Sequence, residues 1–147
     1  MRKEQYEQFF KNKKVTVMGL GLLGRGVGDS VFLAENDVQL LITDKKTKEQ
    51  LASSVDELRQ FSSVEYTLGE HKLTDFENRD FILKAAGVQY DSEYIAYAVK
   101  NNIPVYMSAA LLTSIVMKER PEVTVIGVTG TRGKSTTAQL IAHILKE

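Results

Sequence analysis

Short runs of β-branched and aliphatic residues alternate along this chain with longer segments whose apolar residues recur at helical spacing. The runs predict strands at Val15–Met18, Val38–Thr43, Val64–Leu68, Asp80–Lys84, Pro104–Met107 and Val123–Val128. Strands that alternate with helices are typical of a parallel sheet covered by helices on both faces. The pattern therefore predicts an α/β fold.

The segments between these strands predict amphipathic helices. One follows Thr47-x-x-Gln50, which has the form of a capping box, and two others follow Ser92 and Ser108, which can cap a helix start. Their apolar positions recur at intervals of three and four, so we expect them to lie in the core. These positions are Leu51, Val55, Leu58, Phe61, Ile95, Ala98, Val99, Leu111, Leu112, Ile115 and Val116.

Composition changes this picture only by excluding partners. The 147 residues are 43% hydrophobic and 26% charged, which is ordinary for a globular chain. Lysine plus arginine and aspartate plus glutamate both total 19, so the net charge favours neither nucleic acid nor an anionic membrane. Cysteine is absent, and no apolar run resembles a signal peptide or a membrane span. We predict a cytoplasmic protein that binds no nucleic acid and no membrane.

The first strand runs into a glycine-rich turn. Gly19, Gly21 and Gly24 form the pattern G-x-G-x-x-G between Val15–Met18 and a helical segment. In this pattern the first glycine allows a tight turn, the second lets backbone approach a pyrophosphate, and the third lets the helix pack closely on the strand. The N–H groups of the first helical turn then face the anion. This loop predicts a nucleotide site in a Rossmann-like domain.

An acidic residue ends the second predicted strand. Asp44 lies twenty residues after Gly24, where a carboxylate can accept hydrogen bonds from ribose hydroxyls, and Lys45 and Lys46 add positive charge beside it. NAD, FAD and a UDP-sugar all present two phosphates and a ribose, so the motif leaves the ligand open. An NAD(P)-binding oxidoreductase or an NAD-sensing regulatory module is one interpretation.

A second glycine-rich loop follows the sixth predicted strand. It consists of Gly130, Thr131, Arg132, Gly133, Lys134, Ser135 and Thr136, and helical residues come next. Its backbone N–H groups can surround phosphates, the Lys134 ammonium can reach the β- and γ-phosphates, and the Ser135 hydroxyl can ligate Mg²⁺. The strict pattern has glycine where this chain has Val128, so the loop is a variant. It predicts ATP and Mg²⁺ as cofactors.

These features divide the chain into two predicted domains. Residues 1–107 complete five strand-helix units and form the Rossmann-like domain. Residues 108–147 hold the opening strand, the phosphate loop and the helix of an ATP-binding domain. Because such a strand needs neighbours to complete its sheet, we expect the second domain to be truncated.

A nucleotide-binding domain followed about a hundred residues later by T-G-T-x-G-K-[ST]-T resembles the Mur ligase family. The Gly19–Gly24 loop, Asp44 and the Ala86-Gly87-Val88 turn are most similar to its D-glutamate-adding members. The resemblance covers essentially all 147 residues, and the phosphate loop is its most specific part. It implies an ATP-dependent ligase of peptidoglycan precursor synthesis, which joins D-glutamate to UDP-N-acetylmuramoyl-L-alanine through an acyl phosphate.

The resemblance also implies residue roles. Leu22 and Leu23 would give backbone N–H groups to the diphosphate of the UDP-sugar. The uridine would lie among Asp44, Lys45, Lys46 and Gly87. Lys134 would be catalytic by stabilising the transferring phosphoryl group, and Lys134, Ser135 and Thr136 would contact ATP and Mg²⁺. Because the D-glutamate site and the other catalytic groups have no counterpart in this chain, we expect it to catalyse nothing alone.

Some positions depart from the family pattern. Arg132 stands where asparagine is usual, and it is either a solvated charge or an additional phosphate contact. Leu23 stands where a hydroxyl residue is frequent, and Arg25 either supplies the missing contact or faces solvent. His71 and His143 have no partner at metal-ligand spacing and are predicted to lie on the surface. An oxidoreductase leaves the second loop without a role, and a stand-alone P-loop ATPase leaves the first without one, whereas a ligase uses both.

Overall fold

The computed structural model describes residues 3–22 and 24–146. Within them, five strands form one all-parallel sheet in the order β3-β2-β1-β4-β5. The strands are β1 (Lys14–Met18), β2 (Gln39–Asp44), β3 (Val64–Leu68), β4 (Phe81–Lys84) and β5 (Val105–Tyr106). The helices are α1 (Lys3–Phe10), α2 (Arg25–Ala34), α3 (Ala52–Glu57), α4 (Glu93–Lys100), α5 (Ser108–Glu119) and α6 (Lys134–Ile144), with a 3-10 helix at Leu73–Phe76. The predicted α/β fold with a Rossmann-like parallel sheet is confirmed.

The two faces of the sheet carry separate apolar clusters, because successive residues of a strand point to opposite sides. One cluster joins Val15, Ile42 and Leu83 to apolar residues of α2 and to Leu111. The other joins Met18 and Ile82 to Phe76, Ile95 and Ala98. Helices therefore cover both faces of the sheet, as the alternating pattern predicts.

Most predicted core positions are buried, including Leu51, Leu58 and Ile95, each at 0% exposure. Val99 and Leu112 were predicted to be core, and this is wrong: they are 61% and 58% exposed. Each lies one residue after a buried position of its helix, and a step of one residue turns the side chain about 100° away from the buried face.

The reciprocal bonds of the predicted capping box are present, but they lie in the turn before the helix, whose N-cap is Leu51 without a side-chain cap bond. The Thr47 N–H donates to Gln50 Oε1 at 2.9 Å, and the Gln50 N–H donates to Thr47 Oγ1 at 3.5 Å. The α-helix itself, α3, covers only Ala52–Glu57. No helix in the described part of the chain is long and apolar enough to cross a membrane.

The chain divides into two compact units, Met1–Ile115 and Val116–Glu147. In the second unit the predicted strand Val123–Val128 is wrong, because none of its residues is in a strand. Val125 and Ile126 are 46% and 56% exposed. A strand needs a hydrogen-bonded neighbour, and the described residues of this unit provide none. The domain bounds 1–107 and 108–147 stay a prediction.

Candidate functional site

The first glycine loop begins where β1 meets its two neighbours. The Gly19 N–H donates to Thr43 O at 2.9 Å, and the Ala85 N–H donates to Met18 O at 2.9 Å. Gly19 has a φ of +96°, and a Cβ there would lie 2.9 Å from the Cβ of Ala85. Both the left-handed backbone and this close approach require glycine, so the tight turn assigned to Gly19 is present.

Two side chains hold the peptide groups of Gly21. Its N–H donates to Asp44 Oδ2 at 3.1 Å, and its carbonyl accepts from Ser54 Oγ at 3.0 Å. The second Asp44 oxygen, Oδ1, accepts from the Lys46 N–H at 2.9 Å. Asp44 and Ser54 are 6% and 4% exposed. Asp44 thus ends β2 as expected, but its carboxylate stabilises the loop, and a contact with ribose stays a prediction.

Gly24 is the N-cap residue of α2, and its φ of +76° is left-handed. The sequence assigned close packing of helix on strand to Gly24, and this is wrong, since a Cβ at Gly24 would meet nothing within 4 Å. The close approach is at Gly26 instead, where a Cβ would lie 2.2 Å from the carbonyl oxygen of Leu20 and 2.8 Å from that of Gly19, so α2 packs on the backbone of the loop.

A cavity of about 740 Å³ opens beside this loop at the carboxyl ends of the strands. Its lining brings together four residues predicted as site residues, Gly19, Gly21, Leu22 and Lys46, and adds the exposed Arg25. The other lining residues are Val17, Leu20, Gly26, Asp29, Leu83, Lys84, Ala85, Ala86, Met107, Ser108 and Ala109. In α/β folds, phosphate-bearing ligands generally bind at this point, outside the carboxyl ends of the strands and beside a helix N-terminus.

The remaining predicted residues of the first site have different surroundings. Gly24, Asp44, Lys45 and Gly87 do not line the cavity. Lys45 and Gly87 are exposed, and they follow β2 and β4 respectively. Leu23, the second predicted diphosphate contact, lies outside the described residues.

Lys84 is a buried cation that the sequence analysis missed. It ends β4 opposite Met18, it is 4% exposed, and its Nζ donates to Val88 O at 2.9 Å. The ammonium also lies 4.2 Å from the ring centroid of Tyr90. These two contacts hold the turn that carries Gly87. A lysine that ends an otherwise apolar strand was the available signal.

His71 is not the surface residue that the sequence predicts. It is half-buried, its Nδ1 lies 2.8 Å from Thr43 Oγ1, and its ring meets Tyr94 edge-on at 5.2 Å between centroids. Burial lowers the pKa of His71, the Lys45 charge lowers it further, and the charges of Asp44 and Asp75 oppose the shift. Among the described residues no cluster of His, Cys, Asp and Glu could hold a metal ion.

The second glycine loop is exposed throughout, from Gly130 to Thr136. Gly133, with a φ of +77°, caps α6, and the Lys134 ammonium donates to Gly130 O at 2.6 Å. Arg132 is likewise exposed, which leaves both of its interpretations open.

This loop fits the chemistry of a magnesium-bound phosphate. The first N–H groups of a helix have no acceptor within it, and with a lysine beside them they can receive a phosphate. The hydroxyls of Ser135 and Thr136, in the first turn of α6, are oxygen ligands of the kind that Mg²⁺ prefers.

The strand order reverses between β1 and β4, and the glycine loop and the open cavity lie at the carboxyl ends of these strands. A parallel sheet with these features defines the class of Rossmann-like nucleotide-binding domains. A solved structure shares this fold: the precorrin-2 dehydrogenase SirC superposes with a TM-score of 0.50 at 16% identity, covering 68% of this chain and 46% of that one. The family model of the Mur ligase MurD-like N-terminal domain matches residues 13–107. The chain therefore belongs to the MurD-like branch of the Mur ligase family.

Two curated relatives carry the name UDP-N-acetylmuramoylalanine--D-glutamate ligase. The protein of Borreliella burgdorferi strain ZS7 is 37% identical over 140 residues, which are 93% of this chain and 29% of that protein. The protein of Treponema pallidum strain Nichols is 32% identical over 151 aligned residues, covering 97% of this chain and 26% of that protein. The chain thus spans less than a third of the length of either relative.

Proposed function

We propose that this chain provides the UDP-substrate-binding domain and the ATP phosphate loop of a ligase that adds D-glutamate to UDP-N-acetylmuramoyl-L-alanine. The observation that carries the proposal is the cavity beside the Gly19–Gly24 loop, where a glycine turn, a helix start and two exposed cations, Arg25 and Lys46, come together. The names of the two relatives support the choice of substrate.

In this proposal the diphosphate of the UDP-sugar lies over the first turn of α2. The N–H groups of Leu22 and Leu23 donate to it, and Arg25 adds a charge from the first helical turn. The uridine extends toward Asp44 and the lysines after β2, with Gly87 close to the uracil. The contacts already made by the Asp44 carboxylate leave lone pairs on both oxygens, so a ribose hydroxyl can still donate to it.

The second loop would act on ATP. Gly130–Gly133 and the first N–H groups of α6 would surround the phosphates, and Ser135 would hold Mg²⁺, which supplies positive charge to the phosphoryl group. Lys134 would exchange its bond with Gly130 for the β- and γ-phosphates and stabilise the charge that develops during transfer. In the whole ligase the γ-phosphoryl group passes to the substrate carboxylate and ADP leaves. The amine of D-glutamate then attacks the acyl carbon, and phosphate leaves.

We further propose the domain bounds 1–107 and 108–147, a cytoplasmic location, and no activity for these 147 residues alone. Peptidoglycan precursor synthesis is the corresponding cellular role. The D-glutamate site then belongs to parts of the ligase that correspond to the unmatched length of the relatives.

Calorimetric titration with UDP, with UDP-N-acetylmuramoyl-L-alanine and with NADH tests the first site. We expect both UDP ligands to bind and NADH to give no heat. Lys46→Ala should weaken UDP binding about tenfold, the lower end for one charge-assisted hydrogen bond, because Lys46 lines the cavity. Lys48→Ala is the matched control, since Lys48 is exposed and lines a different cavity beside β3. Tight NADH binding without a response to UDP would overturn the proposal in favour of an oxidoreductase.

A further inference from the structure

Within the described part of the chain, the peptide group between Gly21 and Leu22 is hydrogen-bonded at its carbonyl and not at its N–H. Its carbonyl accepts from Ser54 Oγ at 3.0 Å, and the N–H of the same planar unit belongs to Leu22. No peptide bond in the described chain is cis, so in this trans unit the N–H points away from the carbonyl. A contact that fixes the Gly21 carbonyl therefore also fixes the direction of the Leu22 N–H.

Ser54 is in a position to set that direction rigidly. It lies in α3, is 4% exposed, and follows Leu51, which is anchored in the core at 0% exposure. A hydroxyl buried without an acceptor is costly, so the bond to Gly21 is strongly favoured. Helix α3 thus holds the Ser54 hydroxyl, a hydrogen-bond donor, at a fixed position beside the first glycine loop.

The loop has little else to hold it at this point. Leu20 is buried at 1% exposure, whereas Leu22 is 56% exposed, so the chain leaves the core at Gly21. A Cβ at Gly21 would meet nothing within 4 Å, and the backbone there is left-handed with a φ of +66°. Packing does not fix the Gly21–Leu22 peptide, but the hydrogen bond from Ser54 to the Gly21 carbonyl does. Asp44 holds the preceding peptide, through the Gly21 N–H.

We propose that Ser54 is a positioning residue for the diphosphate subsite: by binding the Gly21 carbonyl, it aims the Leu22 N–H at the phosphates of the bound nucleotide. The inference rests on the proposed function, which takes this N–H as a diphosphate donor. Ser54 itself does not contact the ligand. Its effect is confined to the phosphates, because the uridine lies toward the ends of β2 and β4.

The test compares Ser54→Ala with Ser53→Ala in the full chain. Ser53 precedes Ser54 in α3 but is exposed, so it matches the chemical change and the helix position without the bond to Gly21. Affinities for UDP and for uridine are measured by chemical-shift titration, at a temperature where thermal melts show every variant folded. We expect Ser54→Ala to weaken UDP about three- to tenfold, the range for one hydrogen bond, and to leave uridine unchanged. Ser53→Ala should match the wild type for both.

Two binding results would overturn the inference. One is an unchanged affinity of Ser54→Ala for UDP. The other is an equal loss for UDP and uridine, which would show that Ser54 supports the domain generally. The conservative variant Ser54→Thr keeps the hydroxyl and should recover most of the UDP affinity.

A ligand-free measurement separates this inference from the proposed function. Without the hydroxyl, the Gly21–Leu22 peptide should sample other orientations, so the amide signals of Gly21 and Leu22 should shift or broaden in Ser54→Ala and not in Ser53→Ala. If the wild-type chain binds no UDP, the proposed function fails. The amide signals then still show whether Ser54 fixes the orientation of the Gly21–Leu22 peptide. Unchanged signals would refute that control directly.

Discussion

Gly24 and Gly133 each cap a helix with left-handed backbone, yet the loops that contain them are held in different ways. The first loop is bonded to residues far away in the chain, since Asp44 and Ser54 reach Gly21 across 23 and 33 positions. The second loop has a local bond, from Lys134 to Gly130 across 4 positions, and its residues are exposed. Similar glycine patterns can thus give one loop that is fixed by tertiary contacts and one whose shape depends on its own backbone.

The largest effect should come from Gly26→Ala. The new Cβ would lie 2.2 Å from a backbone oxygen of Leu20, and because the contact is between two backbones, neither the helix nor the loop can shift cheaply. We expect a loss of about 3 kcal/mol in the free energy of unfolding, at the upper end for overpacked sites. Gly28→Ala, two residues along the same helix, meets nothing within 4 Å and should be neutral or stabilise by about 0.5 kcal/mol.

Urea denaturation followed by circular dichroism measures both variants. Equal midpoints for Gly26→Ala and Gly28→Ala would mean that the first loop and α2 are not tightly packed, and the comparison between the two loops would lose its basis.

A smaller loss of stability is expected when either helix cap, Gly24 or Gly133, is replaced by alanine, and the two losses should differ in which part of the protein they affect. Alanine at Gly24 or at Gly133 must adopt a left-handed backbone, with φ values of +76° and +77°, which costs about 1–2 kcal/mol at either position. At Gly24 this cost should reduce the stability of the sheet, because the first loop is tied to β2 and α3. At Gly133 it should reduce only the helicity of α6.

Residue-resolved hydrogen exchange distinguishes these outcomes by comparing β1 amides with α6 amides in each variant. A loss of protection in β1 on Gly133→Ala as large as on Gly24→Ala would show that the second loop is tethered as well.

The smallest expected effect is on the pH dependence of stability, and it concerns one acidic residue in each unit. Asp80 is bonded to the Lys14 N–H and to Lys13, far away in the chain, whereas Glu122 is bonded to Arg120, two residues before it. Burial raises the pKa of Asp80, but the bonds from Lys14 and Lys13 outweigh it, so the pKa is below its usual 3.8. The hydrogen bond from Arg120 lowers the pKa of Glu122.

A depressed folded pKa means that Asp80 stabilises the fold above pH 3.8 and that this contribution is lost as the pH falls below it. Asp80→Asn should therefore cost less than about 1 kcal/mol at pH 7, since the side chains of Lys13 and Asp80 are 32% and 39% exposed and solvent weakens the pair. It should also reduce the loss of stability between pH 7 and pH 3. Glu122→Gln should leave the dependence of stability on pH unchanged, because the bond of Glu122 to Arg120, two residues away, does not depend on the tertiary fold. Denaturant titrations between pH 3 and pH 7 measure both, and an identical response of the two variants would contradict the distinction.

Much of this protein followed from the sequence alone, because the signals are local. Hydrophobic spacing predicted five of the strands, with Val64–Leu68 correct to the residue. The glycine patterns predicted both loops, since a left-handed backbone at Gly19, Gly21, Gly24 and Gly133 is a property of single positions. The same motifs carried the family resemblance, which the match over residues 13–107 confirms.

Only the tertiary structure decided which groups hold these local elements. No sequence motif indicated that Ser54 would reach Gly21 or that Gly26 would meet Leu20, because both contacts depend on how α3 and α2 pack against the first loop. The bond from Lys84 to Val88 likewise depends on the shape of the turn after β4. Val123–Val128 illustrates the same limit: it has the composition of a strand, but a strand exists only where another one supplies its hydrogen bonds.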